Sequence, residues 1–304
     1  MAVHNGGPEL AGTMEGILSQ EGVRFEFLVV DDGSTDITAS LLDRSAQTDP
    51  RIRVLHQSNS GLTAALIRGC NAARGDLIAR QDAGDLSSPG RLCRQMELLA
   101  SDASLSLVSC WARAVGPGNE LLYDIRRPAD ASEATDLLLN RWTGPPHHGS
   151  VMFRRAAYER VEGYRKEFYF SQDSDLWLRL GEVGRLAYVP DILYTFRVTE
   201  DSISSRHRDA QGTLGNLSHD CQDARRAGRA ETDLLVRASA LRPGSAQLSR
   251  GDFTDGAYFI GRCLVRQRDP RARAYLLKVI KRRPLRLGAW LGLLRTYGLP
   301  QAPA

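Results

Sequence analysis

The sequence predicts an α/β fold: a mostly parallel sheet flanked by helices, followed by a helical C-terminal extension. Two observations lead there. Short apolar runs of strand length alternate with segments of helical period through the first two thirds of the chain, the order that builds a parallel sheet. The acidic clusters fall just after the apolar runs, at the carboxyl ends of the strands, where such sheets bind their ligands.

Residues 8–20 place Leu10, Met14, Ile17 and Leu18 at helical spacing. Residues 25–30 (FEFLVV) read as a strand buried on both faces. A helix is expected over 37–45, a strand over 52–55, a helix over 62–73 and a strand over 77–80. A helix with proline near its start follows over 89–99, then a strand over 105–111. From about residue 142 to 205 the pattern gives strands at 150–153, 186–189 and 193–198 and a helix over 173–184. From Arg206 on it is helical and basic. The loop signal His4-Asn5-Gly6-Gly7 has only Met1–Val3 before it. A sheet of this type wants a full strand there, so a curtailed first strand is expected, with residues upstream of Met1.

Composition bounds the class. With 304 residues, 42% hydrophobic and 25% charged, the chain reads as an ordinary globular protein of one large domain or two smaller ones. Residues 206–304 carry 19 Lys and Arg against 8 Asp and Glu, whereas residues 1–205 carry 21 against 28. The expected division is therefore 1–205 and 206–304. No run approaches the ~18 apolar residues of a membrane span, and the start has no leader-like pattern, so the expected compartment is the cytoplasm. Cys70, Cys93, Cys110, Cys221 and Cys263 are scattered, without the paired spacing of a zinc site.

Three segments hold candidate chemistry. Residues 29–36 (VVDDGSTD) set two carboxylates at a strand end, suited to a nucleobase edge or to capping the next helix. Residues 79–85 (ARQDAGD) offer oxygen ligands for Mg²⁺ or Mn²⁺, or form a solvated acidic loop. In residues 170–180 (FSQDSDLWLRL), Asp173 opens a helix and suits either a general base or a carboxylate placed for the helix dipole.

Taken jointly, in this order and spacing, these segments resemble the family 2 glycosyltransferases, which have the GT-A, Rossmann-like fold. The resemblance runs over about residues 1–205. It is carried by Ala2-Val3-His4-Asn5, Asp31 to Asp36, Asp82 to Asp85, Gln172 to Trp177 and the arginine-bearing strand from Tyr194. Linking signals are Asn59-x-Gly61-Leu62, Gly75-Asp76-Leu77-Ile78, Pro89-x-Arg91-Leu92 and His148-Gly149-Ser150-Val151-Met152-Phe153-Arg154-Arg155. The chain departs from the family pattern at Gly84, where the second Asp of D-x-D is usual, at Gln172, where Glu is usual, and at Thr199, where His is frequent.

The resemblance implies a nucleotide-sugar donor and transfer with inversion to a glycan or lipid-linked acceptor. It implies Asp32 at the nucleobase, with Ala2, His4 and Asp31 lining that pocket. Asp82 and Asp85 face the ribose and a metal-bound diphosphate, Mg²⁺ or Mn²⁺ being the cofactor, with Arg197 as a diphosphate partner. Asp173 is the catalytic base. His147, His148, Gln172, Asp175 and Trp177 are candidates for acceptor or diphosphate contact. The rival readings are a GT-A domain that binds nucleotide or sugar without transfer, and a nucleotidyl transferase.

In the tail, Lys278, Lys281, Arg282, Arg283 and Arg286 interleave with Leu276, Val279, Ile280, Leu285, Leu287, Trp290, Leu291 and Leu294. That pattern fits amphipathic helices packed on the catalytic domain, or a peripheral contact with an anionic membrane on its inner face. No nucleic-acid reading motif accompanies the charge.

Overall fold

The structure is a computed structural model that describes residues 1–200, 208–242 and 254–297. The strands are β1 (Ala2–Val3), β2 (Phe27–Asp32), β3 (Ile52–Gln57), β4 (Leu77–Ala79), β5 (Leu86–Ser87), β6 (Leu105–Val115), β7 (Leu121–Ile125), β8 (Met152–Arg154) and β9 (Arg185–Arg197). The helices are α1 (Glu9–Leu18), α2 (Thr38–Thr48), α3 (Leu62–Ala72), α4 (Arg91–Ser101), α5 (Ala131–Arg141), α6 (Arg155–Arg160), α7 (Gln172–Val183), α8 (Arg208–Arg226), α9 (Thr232–Ala240), α10 (Thr254–Arg266), α11 (Ala272–Arg282) and α12 (Leu287–Arg295).

The strands form two sheets. β1, β2 and β3 are parallel and adjacent in that order. The second sheet runs β4-β8-β6-β9-β5, with β7 paired to β6. In it β6 and β9 are parallel, whereas β5, β7 and β8 run antiparallel to their neighbours. All six residues of β2 are buried, because helices cover both faces. Val29 packs with Leu10, Met14 and Leu42 of α1 and α2. Val30, the next residue and so on the opposite face, packs with Ala65 and Leu66 of α3.

One expectation from the sequence changes. The strands expected at 186–189 and 193–198 are one strand, β9. Its middle carries Pro190, which cannot donate to a ladder, and the register against β6 shifts there, between Cys110 and Ala112. The local pattern broke where the pairing is irregular. At the N-terminus β1 is two residues long and pairs with Val30 and Asp31. Between β2 and β4 lies a cavity of about 760 Å³, lined by Phe27, Leu28, Ala65, Leu66, Ile78 and Ala79 among others. The Met1 ammonium donates to the Leu28 carbonyl at 2.8 Å. Burial, helped by the Arg80 charge, pushes this amine down to about 5.

The C-terminal helices share cores with the sheet. Ile260, Leu264, Leu276, Val279 and Leu293 pack against Ala112, Ala114, Tyr194 and Phe196 of β6 and β9. Leu214, Leu217 and Cys221 of α8 pack on Phe168 and Phe170, just before α7. The expected boundary at residue 205 lies outside the described residues.

Beneath the carboxyl end of β4, the fully buried Arg91 binds two parts of the chain together. Its guanidinium donates to the carbonyls of Gly149 and Arg80, each at 2.9 Å, and lies over the Tyr194 ring. Arg91→Met strands both carbonyls in the interior, at a cost of about 1–3 kcal/mol each. Urea unfolding is expected to show a loss of about 2–5 kcal/mol; a loss under about 0.5 kcal/mol would mean that the carbonyls find other donors.

Candidate active site

At the end of β2, Asp31 and Asp32 are both buried. Asp31 accepts from the Ser34 N–H at 3.1 Å and from His56 Nδ1 at 2.9 Å. Burial opposes its ionisation, but these hydrogen bonds hold its carboxyl below the ordinary range. His56 is bridged to Asp43 by its other nitrogen, and the two carboxylates raise its pKa. Asp32 accepts from Gln57 Nε2 at 2.6 Å and from the N–H groups of Ser60 and Gly61 at 2.8 Å. It ties the β3–α3 loop to β2. Gly33 permits this closeness: its φ is +74°, and a Cβ there would lie 2.6 Å from the Asn59 nitrogen. Above lies an exposed rim. His4 donates from Nδ1 to the Asp32 carbonyl at 3.0 Å, and the Asn59 side-chain amide lies against the His4 ring.

The second acidic centre follows β4. Arg80 is buried and donates to Asp82 Oδ1 at 2.6 Å. Against the burial penalty, Arg80 and the nearby His148 and His147 hold Asp82 down to about 2. Asp85 lacks such a partner. It accepts from the Tyr194 hydroxyl at 2.8 Å and from the Arg197 N–H at 3.1 Å. Burial, and then the Asp82 charge against the opposing pull of His147, raise it to about 6. Gly84, at φ +92°, makes the turn that folds Asp85 back beside Asp82, and Thr13 pins it, donating to the Asp85 carbonyl and accepting from the Gly84 N–H, both at 2.9 Å.

His147 closes this centre. Its Nδ1 lies 3.4 Å from Asp85 and 3.7 Å from Asp82, and its ring stacks on Phe196 at 4.6 Å. Gly149 N–H donates to the same Nδ1 at 3.3 Å, which marks that nitrogen as the unprotonated one in the neutral ring. One ligand atom from each of Asp82, Asp85 and His147 lies within 4.8 Å of the others. Two carboxylate oxygens and an imidazole nitrogen, with one buried acid short of a counter-charge, fit a divalent cation of the Mg²⁺ or Mn²⁺ type. Gly149 is itself dictated by packing, since a Cβ there would run into the Tyr194 hydroxyl.

Asp173 stands in the first turn of α7, partly exposed, with Oδ1 accepting from the Ser174 N–H at 2.9 Å. The helix dipole favours its charge.

Several expected site residues have other duties. Asp175 is buried in ion pairs with Arg179 and Arg165. Two residues on from Asp173 along a helix, it faces the opposite way. The Arg197 guanidinium donates to the carbonyls of Gly116 and Pro117 and to Asn119, so it braces the β6–β7 turn. His148 is buried, with Nε2 accepting from Tyr164 at 2.6 Å and Arg80 at 3.4 Å; burial pushes it down to about 4. Trp177 is in the core, Gln172 is buried at the start of α7, and Ala2 is buried in β1. Asp32 is committed to the loop rather than left open at a pocket floor. Arg80, Tyr194 and Thr13 were not singled out from the sequence. Arg80 had a signal, since it lies two residues before Asp82 in extended chain and so on the same side.

Acidic groups thus gather at the carboxyl ends of an α/β sheet around a candidate cation site, and similarity to known proteins makes this a GT-A nucleotide-sugar transferase. The family model for "Glycosyl transferase family 2" matches residues 1–162, and the chain belongs to that family. It is 31% identical over 250 residues to the putative glycosyltransferase EpsE of Bacillus subtilis, covering 79% of this chain and 86% of that one. A Pasteurella multocida chondroitin synthase is 25% identical over 199 residues, which are 65% of this chain and only 20% of that protein. Among solved structures, Staphylococcus aureus TarS (1–349) in complex with UDP-GlcNAc matches with a TM-score of 0.60 at 15% identity, over 97% of this chain and 87% of that one. The mannosyltransferase PcManGT of Pyrobaculum calidifontis, in complex with GDP-Man and Mn²⁺, matches with a TM-score of 0.58 at 20% identity, over 97% and 82%. At such identities the structures share the fold.

Asp85 gives a pH test. Its folded pKa, about 6, lies above its ordinary 3.8. Its stabilising contribution is therefore complete below about pH 4 and lost as pH rises through about 6. Asp85→Asn is expected to raise the melting temperature of the metal-free protein at pH 8 and to leave it unchanged at pH 4, while abolishing stabilisation by Mn²⁺. An equal effect at both pH values would contradict the assignment.

Proposed function

We propose that the protein transfers a sugar from a nucleotide-sugar donor to a hydroxyl of a glycan or lipid-linked acceptor, inverting the anomeric centre, in the synthesis of a surface polysaccharide or glycoconjugate. The observation that carries this is the convergence of Asp82, Asp85 and His147 on one candidate cation-binding cluster at the carboxyl end of β4, with the carboxylate of Asp173 in the first turn of α7. Named relatives point the same way: one is the succinoglycan biosynthesis protein ExoO of Rhizobium meliloti, 33% identical over 224 residues.

In this reading the nucleoside lies over the rim of His4 and Asn59, and Asp32 acts through the loop it holds. Asp82, Asp85 and His147 hold Mg²⁺ or Mn²⁺, which supplies positive charge beside the departing diphosphate when bound. Arg80 keeps Asp82 ionised and aimed. Asp173 takes the acceptor's proton on Oδ2, because Oδ1 is engaged by Ser174. Held opposite the diphosphate, it guides attack on the face away from the nucleotide.

Gly84 and Gln172 favour a second reading, a domain that binds donor without transfer. Against it, the Gly84 turn brings Asp85 to Asp82, and His147 supplies a third ligand where the family often places His at Thr199. No helix among the described residues is long and apolar enough to cross a membrane. A lipid-linked acceptor would be met from the membrane surface, through the basic C-terminal region.

Turnover of UDP-, GDP- and dTDP-sugars by the purified protein, with and without Mn²⁺, separates the readings; nucleotide binding without sugar release would leave only the second. Asp173→Asn is expected to lower transfer by about 10²–10⁴-fold with an unchanged donor dissociation constant. Near-normal turnover would remove the base from Asp173. His147→Ala is expected to weaken Mn²⁺ affinity at least tenfold by calorimetry, and an unchanged affinity would exclude it as a ligand.

A further inference from the structure

α12 is apolar all round. Between Leu287 and Leu294 it carries no charged or polar side chain, a pattern that normally marks a helix buried on every side. Here one side is buried: Ala289, Gly292 and Leu293 pack with Leu276 and Ile260. The opposite stripe, Leu287, Trp290, Leu291 and Leu294, has helical spacing and stands in solvent, with Leu287 74% and Leu291 57% exposed. Leu285, just before it, is 93% exposed. Trp290 donates its indole N–H to the Pro284 carbonyl at 2.8 Å, which fixes the ring at the same end as Leu285.

Positive charge surrounds the stripe. Residues 270–304 contain eight Lys and Arg and no Asp or Glu. Lys278 and Arg286 are paired to Glu200 and Asp255, but Lys281, Arg282 and Arg295 have no ion pair among the described residues. A second copy of the same face would set like charges against each other. A neutral apolar partner would leave them uncompensated.

We propose that the outer face of α12, with Leu285 and the cations at the end of α11, docks on an anionic lipid leaflet. The inference rests on the peripheral-membrane part of the function above and names the surface responsible. The leucines and Trp290 enter the headgroup–acyl boundary, while Lys281, Arg282 and Arg295 reach lipid phosphates with their stems laid on apolar surface. The active site lies at the ends of β2, β4 and β9, and β9 packs directly on α10 to α12. Docking therefore holds the catalytic centre at a set height over the leaflet.

The test is co-sedimentation of the full chain with vesicles of 3:1 phosphatidylcholine to phosphatidylglycerol, against phosphatidylcholine alone. Anionic vesicles are expected to bind at least tenfold more tightly, less so in 0.5 M salt. Leu287→Ser/Leu291→Ser/Leu294→Ser and, separately, Lys281→Glu/Arg282→Glu are each expected to lose at least tenfold in binding, with transfer to a soluble acceptor unchanged. Equal binding to both vesicles, or retention by both variants, would overturn the proposal. So would a wild-type dimer, seen by light scattering, that the triple variant dissolves without any vesicle binding. Because transfer is read separately, loss of docking and loss of enzyme activity are distinguishable.

Discussion

Two neighbouring carboxylates at one strand end, Asp85 buried and Asp82 half-buried, set the terms for the rest of the molecule. Asp82 and Asp85 repel each other, and the fold answers unequally. Arg80 takes Asp82 as a direct partner; Asp85 receives a hydroxyl and a backbone N–H, with the His147 ring 3.4 Å away. The pair is left with an excess of negative charge, with an imidazole nitrogen aimed at it. Such an arrangement is costly in the empty protein and favourable once a cation and diphosphate arrive. Arg91 below, Tyr194 above and Gly149 between them are the scaffold that holds the two acids in place.

The C-terminal helices are coupled to that scaffold through β9. Tyr194 and Phe196 point from one face of this strand to His147, and the same residues belong to the core shared with α10, α11 and α12. A disturbance of the helical layer therefore reaches the stacking partners of a proposed metal ligand. The basic helices are part of the support of the site, whatever else their outer surface binds.

Much of the fold was legible because the β2 to β4 region repeats a simple pattern: a strand apolar on both faces, then a polar cluster, then a helix. Asp82, Asp85 and Asp173 were legible as acids at element ends. Side-chain direction was harder to read. Arg197 neighbours Phe196, but alternation along β9 turns it away from His147 and into the β6–β7 turn. Asp175 follows Asp173 by two residues, which on a helix means the far side. His147 is extended and His148 opens a short 3-10 turn, so the first reaches the acids and the second is buried against Tyr164 and Arg80. The Tyr194–Asp85 bond joins residues 109 apart, and nothing local marks it.

The most direct measurement is the anomeric configuration of the product by proton NMR, using an α-linked nucleotide-sugar donor. A base at Asp173 facing a diphosphate held near Asp82 and Asp85 requires attack from the opposite face and so a β-linked product. An α-linked product would contradict the proposed mechanism even if turnover were fast.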